Sequence, residues 1–160
     1  MRLTGNPSNY AELRSLAFRR GPKKCGLRLP PGRHVWGGLM ELGMPVGTAT
    51  LACLLDGNAS LYLSSGGGVI GGLSRDAMVG TVDRFMSVLM HDVGLLTPAP
   101  ANLLPHPPTE GWVQFVAYVD GQPPAAAIRS DDALKAGDVL APLFAAGHAV
   151  IAQLRVHIGG

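Results

Sequence analysis

The segment ASLYLSSGGGVIGGLSRDAMV, residues 59–79, carries the one spacing in this chain that could cradle a phosphate. Gly66, Gly68 and Gly71 fit G-x-G-x-x-G between a strand-like run and a helix-like run. An anion there would meet the backbone of Gly66, Gly67, Gly68, Gly71 and Gly72, with Ser74 at the start of the following helix. A dinucleotide fold needs more than this. The strand before the glycines leaves a hairpin, and a proline-rich stretch stands where a second parallel strand with its ribose-binding acid should follow. No G-x-x-x-x-G-K-[ST] is present, so no lysine is placed to reach a terminal phosphate. The structural explanation is preferred: these glycines let a strand bend and a helix lie close to a sheet. No cofactor is expected.

Other reactive constellations are weaker. The five histidines (His34, His91, His106, His148, His157) and two cysteines show neither C-x-x-C nor H-x-x-x-H spacing, so no metal site is expected. There is no G-x-S-x-G, and Cys53 falls in an apolar strand, where a reduced buried thiol is usual. Glu41 is the single acid of its strand, on the side of Val35 and Leu39. It reads as a residue of the solvated face, as half of a cross-strand ion pair with Lys or Arg, or as part of a dimer seam, in preference to a catalytic base in a desolvated pocket. No catalytic residue is assigned. Trp36, Tyr62, Trp112 and Tyr118 are strand aromatics. Tyr62 shares its face with Ser60 and Ser64, and Trp112 and Tyr118 share theirs with Gln114. With Glu41, these four are the candidate interface residues.

Charge is unevenly spread. Residues 1–34 hold eight Lys/Arg against Glu12, a balance of +7, while the remainder is −5. Such a basic arm can fold back on the body, meet an acidic partner, or touch nucleic acid. The last is disfavoured because the arm lacks interleaved aromatic platforms. Only 15% of residues are charged, which favours apolar surface covered by a partner. There is no apolar leader and no run of about 18 apolar residues. A soluble cytoplasmic protein without membrane insertion is the expectation.

These residues must be positioned by a small set of elements. Asn9 and Glu12 resemble a capping box for a helix over 9–19, and GPKKCGLRLPPGR reads as an extended connector. HVWGGLMEL, TATLACLLD and ASLYLSS are strands of an antiparallel meander, with Asp56-Gly57 as a hairpin turn. Residues 75–93 form an amphipathic helix, and TPAPANLLPHPPTEG is a long loop. WVQFVAYVD and AAAIR are two further strands, and a last helix spans 141–156. The expected fold is α+β: an arm (1–33) with a short helix, then one domain (34–160). That domain has a five-stranded antiparallel sheet with helices packed mainly on one face, in two layers. The open face is then available for docking.

The order of elements over 34–156 resembles the roadblock, longin and profilin-like α/β modules. That resemblance implies action in dimers or in complexes with other proteins. WGGLMELG…GTATLACLLDG…SLYLSSGGGVIGG is also similar to small bacterial proteins. The expected function is a non-enzymatic interaction or assembly module, a homodimer or a subunit of a larger complex. The alternatives are a small-ligand or anion-binding protein or enzyme using residues 66–74, and nucleic-acid binding through the basic arm.

Overall fold

The computed structural model describes residues 2–3, 9–32, 34–69, 76–100 and 103–159. The elements in chain order are β1 (Arg2–Leu3), α1 (Tyr10–Lys24), β2 (Val35–Met44), β3 (Gly47–Leu54), β4 (Ala59–Leu63), β5 (Gly68–Val69), α2 (Asp76–Asp92), β6 (Thr97–Pro98), β7 (Trp112–Val119), β8 (Ala125–Ser130), α3 (Asp131–Lys135) and α4 (Ala141–Gly159). All strand pairs are antiparallel, in the order β1-β5-β4-β3-β2-β7-β8-β6. The sheet therefore has eight strands, not five. The expected five are its long members, and β1, β5 and β6 are two-residue strands at its margins. Strands that short carry no alternation to read.

One face holds the main core. Met40, Leu51, Cys53, Leu61, Phe115 and Ala117 point toward α2 and α4, which supply Val82, Phe85, Met86, Leu89, Leu143, Val150 and Leu154. Close approach depends on missing side chains in the facing elements. A Cβ at Gly38 would strike Leu89 and the Val116 carbonyl, and one at Gly147 would strike Met40.

The reverse face is covered too, against the expectation of a single shielded side. Ala17 and Phe18 of α1, Leu27 and Leu29 of the connector, and Leu104 pack on a second cluster of Trp36, Leu39, Val116 and Tyr118. The architecture is three-layered over much of the sheet. Within the basic residues 1–33, α1 sets Arg14 against Glu41 and Phe18 against Tyr118. α1 also runs to Lys24 rather than 19, crossing a kink at Gly21 where φ is 76°. Asn9 makes no side-chain cap, so the capping box does not form.

A β-bulge sets which face each β2 residue joins. Val35 pairs with Val119 and Gly37 with Tyr118, leaving Trp36 as the extra residue. Beyond it, Leu39 and Glu41 face α1 while Met40 faces α2. Val35 therefore lies on the opposite side from Glu41, correcting the simple alternation.

Candidate functional site

Glu41 sits at the centre of a polar row that crosses the sheet. In register, Tyr62 opposes Thr50, Thr50 opposes Glu41, Glu41 opposes Gln114, and Gln114 opposes Ile128. Glu41 is fully buried, and each of its carboxylate oxygens has two donors. Arg14 Nε and Thr50 Oγ1 donate to Oε2, both at 2.7 Å. Arg14 Nη2 and Gln114 Nε2 donate to Oε1 at 2.7 and 3.1 Å. Because Thr50 spends its proton on the carboxylate, Tyr10 must donate to Thr50 Oγ1, at 2.6 Å. This fork-on-fork geometry is the strong form of a charge-assisted pair. Of the sequence readings, the ion pair fits, but the cation comes from α1 and not from a neighbouring strand. Sequence could not say which of eight basic residues would reach it.

The same node holds the proline-rich loop. Arg14 Nη2 also donates to the Pro105 carbonyl, Gln114 Nε2 to His106 O at 3.0 Å, and Thr48 Oγ1 to Pro108 O at 3.2 Å. Gly43 has no Cβ, which lets the Thr109 backbone lie against β2. Burial disfavours the Arg14 cation, but the hydrogen bond and charge of Glu41 outweigh it and raise the guanidinium pKa. Burial raises the Tyr10 hydroxyl, with the Thr50 hydrogen bond opposing it. Saturated in this way, Glu41 has no lone pair free to take a substrate proton.

The glycine run forms a hairpin end. Gly66, Gly67 and Gly68 have φ of 104°, 87° and 148°, and a Cβ at Gly68 would strike the Leu61 carbonyl. The Gly66 amide donates to Leu63 O at 2.9 Å, and Leu63 N donates to Gly67 O at 3.1 Å. These three residues close β4 onto β5. Gly71, Gly72 and Ser74 lie outside the described residues. Among the described residues, no cluster of three His, Cys, Asp or Glu side chains could hold a metal ion. Among the described residues, no helix is long and apolar enough to cross a membrane. Cys53 is fully buried, which pushes its thiol far above the usual range.

The five interface candidates separate sharply. Trp36, Glu41, Tyr62 and Tyr118 are buried under α1 and its neighbours. Trp112 alone stays at the surface, 44% exposed, with Ile128 at 48%. Trp112 opposes Ser130 and Ile128 opposes Gln114, so the two are diagonal neighbours on one face, past the edge of the α1 cover. Burial also pushes the Tyr118 hydroxyl far up, and it has no hydrogen-bond partner among the described residues.

At the other end of β7 the surface is concave. A groove of about 630 Å³ is lined by Phe18, Arg19, Trp36, Leu103, Tyr118 and Asp120, among others. It meets a second hollow, of about 930 Å³, at Gly21, Pro22 and Asp120. Arg20, Lys23, Lys24 and Arg28 line that second hollow, beside Leu27 and Leu29. The cationic cluster was legible in the sequence, but the hollow was not. Comparison of the chain with family models, curated proteins and solved structures returns no match.

Proposed function

We propose that the protein is a non-enzymatic interaction module that pairs with a second copy of itself through the margin around Trp112 and Ile128. The observation that carries this is the pair of large apolar side chains left half-exposed and adjacent on β7 and β8. Within the two strands their neighbours on that face are the uncharged Gln114 and Ser130, while Arg129 turns to the opposite face and meets Asp138 at 3.3 Å; Glu110 and Asp131 flank the end of the strip. An apolar pair of this kind suits a two-fold contact, in which the same patch packs against itself. Tryptophan is among the residues enriched at interface hot spots. The low charge of the chain and the likeness of its element order to roadblock- and profilin-like modules support the same reading. Its chemistry-bearing side chains, Glu41 above all, are engaged in holding the fold.

Sedimentation velocity over a concentration series tests this. The expected result is a monomer–dimer equilibrium that W112S and I128D each shift toward monomer, by about 2 kcal/mol for the tryptophan. A monomer at every concentration defeats the proposal, as does a dimer indifferent to both substitutions.

A further inference from the structure

The geometry points to a second, separate binding surface: we infer that the hollow at the C-terminal end of α1 takes an extended acidic segment of a partner protein that also carries apolar side chains. Arg20, Lys23, Lys24 and Arg28 line this hollow, with Arg19 in the groove that joins it, and Asp120 is the one acid among the lining residues. All five cations are exposed and none forms an ion pair among the described residues. Arg14, by contrast, is consumed by Glu41. Five positive charges lining these two adjoining hollows, unpaired among the described residues, raise the local potential and recruit an anionic partner.

The floor chooses among anionic partners. Leu27 and Leu29 line it beside the cations, and Phe18 and Leu103 line the adjoining groove. Leu103 is 66% exposed and Leu29 half-buried, and such aliphatic surface rewards leucine-like groups and offers nothing to a free phosphate. Nucleic acid binds single strands by stacking bases on open rings. Here Trp36 and Tyr118 are 3% and 1% exposed, packed against each other at 5.0 Å between ring centres, so their faces are occupied. A second copy docked two-fold on this hollow would set five cations against five. An acidic, partly apolar protein segment satisfies both the rim and the floor.

The probe is a fluorescein-labelled peptide alternating Glu or Asp with Leu, followed by anisotropy against the full chain. Controls are the same peptide with Lys for each acid, one with Ser for each Leu, and a labelled oligo-dT. The acidic-apolar peptide is expected to bind, to weaken as salt rises, and to lose about tenfold or more in affinity on K23E/K24E, two exposed changes that leave the core intact. W112S and I128D should not affect it, which separates this surface from the self-association margin. Absence of binding, equal binding to K23E/K24E, equal binding of the Ser-containing peptide, or tighter binding of oligo-dT each overturns the inference.

Discussion

Arg14→Met tests the three-layer arrangement most directly. The Arg14 side chain is 9% exposed and the Glu41 side chain 0%, at 2.7 Å. Removing the cation leaves a carboxylate inside the sheet with Thr50 and Gln114 as its remaining donors. Breaking a buried pair from one side costs about 3–5 kcal/mol, because the surviving charge is uncompensated. Glu41→Leu, which strands the guanidinium instead, should cost a similar amount. In the double variant no buried charge remains, and hydrophobic replacement of such pairs is often close to neutral. The Thr50 hydroxyl then lacks its acceptor, a residual cost of about 1–3 kcal/mol, while Gln114 keeps His106 O. The double variant should therefore be no less stable than the worse single one, with a coupling of at least about 2 kcal/mol. Urea denaturation of the four proteins gives the cycle. The half-exposed Arg129–Asp138 pair is the control, and Arg129→Ala should cost less than about 1 kcal/mol through that pair. Additive single changes below about 1 kcal/mol would refute the argument, since they would mean that α1 does not seal Glu41 from water.

Tyr118→Phe should raise stability by about 1 kcal/mol in the same assay, since it deletes a buried hydroxyl that has no partner among the described residues; a loss of that size would reveal a hidden partner. Iodoacetamide should modify half-buried Cys25 slowly in the native protein, because burial raises its thiol, and reach Cys53 only on unfolding. Equal native rates at both thiols would contradict the packing, and peptide mass mapping distinguishes the two. His148 sits edge-on to Phe144 at 4.5 Å between ring centres, and partial burial holds its imidazole below 6.5. The unfolded chain then takes up this proton first, so stability falls as pH drops through 6.5 and levels off below the folded value. H148Q should lack that component when denaturation midpoints are compared on either side of 6.5. Gly43→Ala should destabilise the protein by about 1–3 kcal/mol and raise amide exchange across residues 105–109, because its methyl would meet the Thr109 backbone; unchanged exchange there would refute it.

The long elements were legible because each announces itself locally. The stripe from Val82 through Phe85, Met86 and Leu89 is all buried, and α2 ends at Asp92. Asp56-Gly57 does lie in the turn from β3 to β4, although that turn spans residues 55–58 and not the two-residue hairpin the dipeptide signals, with Asp56 accepting from the Asn58 amide at 3.0 Å. Helix α3 was not among the expected elements, although Ser130 precedes two acids and its hydroxyl accepts from Ala133 N at 3.1 Å to start it. Other features are decided by partners far along the chain. Nothing near Glu41 marks Arg14, 27 residues away, as its counter-ion. The bulge at Trp36 shows only in the pairing with β7, and without it Val35 was placed on the wrong face. The cover of the reverse face was missed for the same reason. Arg14 is the buried charge that fastens α1, and a cation on a weakly amphipathic helix reads as solvent-facing until its carboxylate is found.

Strand β7 is a ruler. Its Trp112 end meets the apolar margin and its Val119 end opens into the groove that joins the cationic hollow, and seven residue steps at about 3.3 Å separate them by roughly 23 Å. If two copies pair at the tryptophan ends as proposed, their hollows would stand on the order of 45 Å apart. One continuous chain occupying both needs about 14 extended residues between its anchoring stretches. Shorter tethers engage a single hollow, whereas sufficiently long ones gain from the raised effective concentration at the second. Spacer length, and not sequence alone, then selects which multivalent companions this assembly retains.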